Sequence, residues 1–414
     1  MAMCCASKEH ACATVTSYRL LPELIMDVID ACSSAYINKY ERIDGQAVSR
    51  TLRACSLTSH AFLPHSQSHI FRTVELKNQT LLEQFLSCLQ SSSERCCDDF
   101  GVGKYVQKLV VWDSYISTPL HTTIHQLGPK LPQLSAITLC SGSRLISDEA
   151  FLSGFNVISQ TVTHPARYLH PLKRLKIEGP PGKMFRHTVD WFAVIFRNGT
   201  SLEELSASFH CLECMEEIIT FNRLLRQCGS TLRRLSLSMD VLDEVACSLD
   251  TSPLKNLERF SLNGCALTQQ HLIRRTQDLN AIISNPTCSM MRSITSMEID
   301  CSMVGLAFLP WAEGFKGIPL SPSERHKYTI ETVNALSILD MVLDDPAFDK
   351  VEDIFILLRP GGACRKPRGL RLHDLFPRMK AKVDARARAG DTRASNGFVV
   401  RVWDEGDRAW FILQ

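Results

Sequence analysis

His210-Cys211-x-x-Cys214 is the arrangement in this chain closest to metal chemistry. Thiolate and imidazole at that spacing suit zinc. A closed structural site needs four ligands, however, and no second Cys-x-x-Cys and no His-x-x-x-His follows to complete it. Cys228 is too isolated to serve, so these residues read as core or surface thiols. Cys4 and Cys5, with His10 and Cys12, could be acylated or could bind a soft metal adventitiously; a disordered leader is the better reading.

Phosphate chemistry fares no better. Gly101-Val102-Gly103-Lys104 lacks the Gly-x-x-x-x-Gly-Lys-Ser/Thr spacing that lets backbone amides surround a phosphate. In Gly179-Pro180-Pro181-Gly182-Lys183 two prolines remove donors. No Gly-x-Ser-x-Gly elbow, His-Glu-x-x-His pair or paired catalytic carboxylate array is visible. The sequence points to a chain that is not an enzyme and needs neither cofactor nor metal.

The 17 cysteines are odd in number, scattered from Cys4 to Cys364, and accompanied by no secretory signal pattern. Cys55, Cys88, Cys140, Cys228 and Cys247 sit beside apolar residues and read as reduced core thiols. A reducing compartment, cytoplasmic or nuclear, is expected. Apolar runs such as Ile354–Leu358 are far too short to cross a bilayer, and no membrane association is expected.

The net charge of +2 hides an asymmetry: Arg359 to Arg393 holds eleven Lys/Arg and three acids. Clustered cations could contact a phosphate backbone, but aromatic residues are few there and Asp374, Asp384 and Asp391 dilute the charge. A solvated linker or helix face is the preferred reading over nucleic-acid binding.

The elements that must position any site follow from periodicity. Residues 1–17 read as a leader. Leu24, Ile25, Val28 and Ile29 lie on one helix face, with Pro22 suited to the first turn. After a polar stretch, Ser33–Arg50, a second helix is predicted over 51–62, with Pro64 as its end or a bend. Ser66–Phe71 reads as a third helix and 72–76 as a short strand. These form a helical module, 18–76. A helix at Leu81–Leu89 and a polar loop at Ser91–Gly103 fill a linker, 77–104.

From 105 to 358 a template recurs, apolar-x-x-apolar-x-apolar, the strand segment of leucine-rich repeats. Matches are Val106/Leu109/Val111, Leu134/Ile137/Leu139, Leu172/Leu175/Ile177, Leu202/Leu205/Ala207, Leu232/Leu235/Leu237, Leu257/Phe260/Leu262, Ile294/Met297/Ile299 and Val351/Ile354/Ile356. Their starts are 28, 38, 30, 30, 25, 37 and 57 residues apart. Helical periodicity fills several intervals, at Val189–Arg197, Met215–Cys228, Val241–Leu249 and Thr268–Ser284, with Gly199 and Gly229 placed to stop two of these helices. The expected class is α/β, parallel strands on one face and helices on the other, each unit needing its neighbours to bury its apolar side. Thr329–Leu343 reads as a further helix, 359–397 as a basic loop and helix, and 398–414 as a terminal hairpin.

At this point the residues resemble a family. Leu21-Pro22-Glu23-Leu24-Ile25, followed by Leu52-Arg-Ala-Cys55-Ser-Leu57-Thr-Ser-His-Ala-Phe62, is similar to the F-box. Leu-Pro-Glu is one residue shorter than the usual Leu-Pro-x-Glu, and Phe62 stands where Trp is common. Leu-Arg-Arg-Leu-Ser-Leu (232–237) and Leu-Glu-Arg-Phe-Ser-Leu (257–262) resemble the divergent leucine-rich repeats that follow the F-box in many fungal proteins.

The resemblance implies a small three-helix F-box-like module followed by an irregular leucine-rich-repeat solenoid. It implies a substrate adaptor of a Skp–cullin–F-box ubiquitin ligase, monomeric outside that complex. Leu21, Pro22, Leu24, Ile25, Val28, Leu52, Leu57 and Phe62 would meet the Skp-type adaptor. Some of them, Leu24 and Val28 among them, could equally close the module's core. A protein substrate would lie on the strand face, where Lys173, Arg174, Lys176, Glu203, Glu204, Arg233 and Arg234 occupy the x positions. The alternatives are a ligase-independent repeat scaffold with a degenerate F-box, and a nucleic-acid-binding protein using 359–393.

Overall fold

Parallel neighbours cannot be joined by a tight turn; the chain must cross one face of the sheet before each new strand. The computed structural model of the chain shows how the apolar template meets that demand. It describes residues 22–34, 45–58, 62–95, 100–112, 120–140, 172–178, 189, 192–193, 196, 201–209, 215–239, 249–263, 293–300, 337–348, 351, 353–357, 376–389, 399–404 and 409–413. Two compact units result, Met1–Arg72 and Thr73–Gln414.

The first unit contains α1 (Pro22–Ser34), α2 (Gly45–Thr58) and α3 (Leu63–Phe71). Ile25 and Ile29, one turn apart on α1, meet Leu52 of α2 to form its core, and Phe62 and Ile70 pack against them. Two boundaries differ from those expected. α2 starts at Gly45, ahead of the pattern at 51; with Val48 the only large apolar residue in that opening stretch, no periodicity marks it. Pro64 lies in the first turn of α3 instead of ending α2, a position where its missing N–H costs nothing.

The second unit is α/β. Its helices and strands run β1 (Thr73–Leu76), α4 (Gln79–Arg95), β2 (Lys108–Trp112), α5 (Leu120–Leu127), β3 (Ala136–Cys140) and β4 (Arg174–Glu178). Then come β5 (Glu204–Phe209), α6 (Met215–Cys228), β6 (Arg234–Met239), β7 (Arg259–Asn263) and β8 (Ser296–Asp300). The last are β9 (Asp353–Leu357), α7 (Pro377–Arg388), β10 (Val399–Asp404) and β11 (Ala409–Leu413). All eleven strands share one sheet, in chain order. Each pair from β1 to β10 is parallel. Only β11 runs antiparallel to its neighbour.

The register places Leu109, Ile137, Leu175, Leu205, Leu235, Phe260, Met297 and Ile354 opposite one another in a single row. None of the eight is more than 1% exposed. The flanking template positions, Leu172, Leu202, Leu232 and Leu257 among them, are equally buried. The template spacings are therefore the pairing offsets of the sheet. Burying each such side chain is worth roughly 1.5–3 kcal/mol, so neighbouring turns are held mainly by these rows.

One hydrogen-bond pattern repeats just before the strands. The carbonyl of Lys173 accepts N–H bonds from both Glu203 and Glu204, at 2.8 and 2.9 Å. Those of Glu203, Arg233 and Glu258 do the same for the next turn in each case. Crossover helices supply the other side of the core. Ile218, Phe221, Leu224, Leu225 and Cys228 of α6 are buried at helical spacing, as are Leu82, Phe85 and Leu89 of α4. Gly229 ends α6 at a close approach: a Cβ there would stand 2.6 Å from both the Leu225 carbonyl oxygen and Pro253 Cβ.

The sheet reaches beyond the eight template matches at both ends. Residues 73–76, grouped by sequence with the helical module, pair with β2, so the boundary falls at 72/73. The terminal hairpin is no separate element, because β10 pairs in parallel with β9. The polar loop expected at Ser91–Gly103 is partly helical, since α4 runs to Arg95 and Gly101–Tyr105 is a 3-10 turn.

Leu235→Ala is expected to cost about 2–5 kcal/mol in urea unfolding. Gly229→Ala is expected to destabilise as well, because a backbone carbonyl stands where the methyl would go.

Candidate functional site

A helix that must close a core on one side and meet a partner on another needs two apolar stripes. α1 has them. Ile25 and Ile29 turn inward, while Leu24 and Val28, also one turn apart, are each 48% exposed. Met26 is 45% exposed, and Leu57 near the end of α2 is 87% exposed. Eight large hydrophobics are exposed among the described residues, and these four fall in the small first unit. Of these, Leu24 and Val28 share one face of α1.

The eight residues expected to meet an adaptor therefore separate. Leu24, Val28 and Leu57 are exposed. Ile25 and Leu52 are core residues, and Phe62 packs half-buried against them. Pro22 begins α1, and Leu21 lies outside the described residues.

The strand face shows a different economy. Lys173 pairs with Glu203 at 2.9 Å, Arg233 with Glu258 at 2.9 Å, and Arg234 with Glu204 at 3.8 Å. Lys176 pairs with Glu178 on its own strand. The alternating signs thus join one turn to the next, which reduces the charge available to a ligand. Arg174 and Arg259 are exposed and hold no ion pair among the described residues. Between them in the sheet, Ser206, Ser208, Ser236, Ser238 and Ser261 are half-buried on the side opposite the apolar rows.

The hydrogen bond from Lys173, opposed by slight burial, holds the Glu203 carboxyl below its ordinary 4.5. Burial pushes the Cys140 thiol up to about 11, helped by Glu178, and the Cys228 thiol up to about 12. Thiols so raised are poor nucleophiles at neutral pH. Cys55 and Cys88 are half-buried.

No protein-family model matches this chain, and neither does any curated protein.

One cluster escaped the sequence reading. Asp30, in the last turns of α1, lies 3.2 Å from His65 Nε2 and 2.8 Å from His69 Nε2 of α3. The two rings stand edge to face, 5.0 Å apart. A helix begun at Ser66 leaves His65 outside it; begun at Leu63, it sets the two histidines one turn apart. The signal was the His-x-x-x-His spacing. Burial would raise the Asp30 carboxyl, but hydrogen bonds from His65 and His69 outweigh it and bring the group below its ordinary value.

The other motifs contribute little. Gly101–Tyr105 is an internal turn whose Gly103 N–H donates to the Phe100 carbonyl and whose Val102 N–H donates to Ser92 Oγ. His210–Cys214, Gly179–Lys183, Cys247 and the leader cysteines lie outside the described residues. Of the basic segment, α7 is described: Arg378 pairs with Asp344 at 3.7 Å and Lys380 with Asp384 at 2.6 Å. Its first turn is capped by the buried Asp340, which accepts N–H bonds from Arg378 and Met379 at 2.9 and 3.0 Å. No helix among the described residues is long and apolar enough to cross a membrane.

A carboxylate whose folded pKa is depressed stabilises above its unfolded value, and that contribution is lost as pH falls through the folded one. Glu203→Gln should therefore flatten part of the stability loss below about pH 4.5. At neutral pH it should change stability by no more than about 1 kcal/mol. Urea titrations across pH 3–7 measure both.

Proposed function

We propose that this chain is a substrate adaptor of a Skp–cullin–F-box type ubiquitin ligase, with the first unit as an F-box-like docking module. The observation that carries the reading is the exposed pair Leu24 and Val28, beside a closed core of Ile25, Ile29 and Leu52. Amphipathic helices dock by laying such apolar residues into a partner's groove. The Leu-Pro-Glu start and the Leu52–Phe62 stretch support the same reading through their resemblance to the F-box.

The second unit is read as an irregular leucine-rich-repeat solenoid that holds a protein substrate. Its parallel strands, stacked in chain order with crossover helices, support this. The substrate face lies around Arg174, Arg259 and the serines between them; Lys173, Glu203 and Arg233 are paired between neighbouring turns. The adaptor performs no bond chemistry of its own and acts where the ligase does, in cytoplasm or nucleus. The paired charges of α7 weigh against the nucleic-acid reading.

The test is co-purification of the full chain with a Skp-type adaptor and a cullin. Leu24→Ala and Leu57→Ala are each expected to cost about 2 kcal/mol of binding, near thirtyfold in affinity. Both side chains are exposed, so thermal unfolding should hardly change. Failure of the wild-type chain to recover the adaptor would leave the ligase-independent scaffold as the reading.

A further inference from the structure

We propose that Asp30, His65 and His69 form a zinc site that ties α1 to α3. Among the described residues these are the side chains whose ligand atoms converge as a metal requires, all within 4.8 Å of one another. Zinc binds imidazole nitrogen and carboxylate oxygen at about 2.0–2.2 Å, which sets ligand atoms roughly 3.3 Å apart in a tetrahedron. The two N···O separations of 3.2 and 2.8 Å are already close to that edge. Histidines at i and i+4 present their rings on one helix face, the arrangement by which helical zinc sites take two ligands.

Three further points fit zinc. Two imidazoles and one carboxylate suit zinc better than the hard, all-oxygen cations. Neither histidine is fully buried, with side chains 27% and 18% exposed, and Asp30 is 58% exposed, so an ion can reach the site from solvent. Among the described residues the unit's core is Ile25, Ile29 and Leu52 with Phe62 and Ile70 packed alongside, and an ion held by Asp30, His65 and His69 would add a second tie between α1 and α3. Small modules commonly recruit a metal or a disulfide. Unlike a closed four-ligand structural site, this one has three protein ligands and is open, its fourth position taking water or a donor from a partner. This inference does not depend on the adaptor reading.

The test uses the full chain, stripped with chelator and titrated with Zn²⁺ alone. Because the chain has 17 cysteines, the ligand type must be read directly. Zinc-edge X-ray absorption at one equivalent is expected to show nitrogen and oxygen neighbours near ~2.0 Å, distinct from thiolate sulfur at ~2.3 Å. A shell made wholly of sulfur in the wild-type chain overturns the proposal without recourse to any variant. His65→Gln with His69→Gln should bind one equivalent less, and Asp30→Asn should bind at least about tenfold more weakly, with helicity by circular dichroism unchanged. Undiminished zinc content in the folded double variant also overturns it.

Discussion

A strand inside a parallel sheet has two hydrogen-bonding edges, and it can satisfy neither by itself. That constraint organises the second unit. From β2 to β9 each strand has a parallel partner on both sides, and the paired offset is always the distance between one apolar triplet and the next. The carbonyls that each accept two N–H groups from the following turn repeat at the same template position. Backbone pairing and side-chain burial thus select a single register, because a slip of one residue would turn Leu205 and Leu235 outward.

The polar side chains divide their labour around that frame. Lys173, Glu203, Arg233 and Glu258, at the position just before the strands, connect turns in pairs. Surface pairs of this kind add little stability each, but opposite signs on successive turns disfavour wrong pairings. The first unit is organised differently. Among its described residues, Ile25, Ile29 and Leu52 form the core while leucine, methionine and valine side chains stand in solvent.

Much of the sheet was legible because three apolar residues at fixed spacing are hard to confuse with a helix stripe. The elements missed had weaker signatures. β1 buries only Leu76 among four residues, so it carries no triplet. β10 lies 46 residues beyond β9 in the register, and the Asp-Glu-Gly-Asp sequence that follows its valines favours reading it as an isolated hairpin. In the first unit, the face of α1 was readable, but which of its apolar residues face inward depends on where α2 lies, and periodicity does not contain that information. Cys140 and Cys228 show the opposite case: their apolar neighbours in sequence were enough to place them inside.

The turn frame fixes short strand segments, while the number of residues between them varies. From Leu235 to Phe260 the sheet advances one step in 25 residues, and from Met297 to Ile354 it does so in 57. The closure entropy of a connection grows only slowly with its length, about 0.6 kcal/mol per doubling, so a longer connection hardly burdens the stack. An architecture of this sort can gain, lose or rewrite its connecting segments over generations while its backbone stays put, which makes those segments the natural place for new specificities to arise.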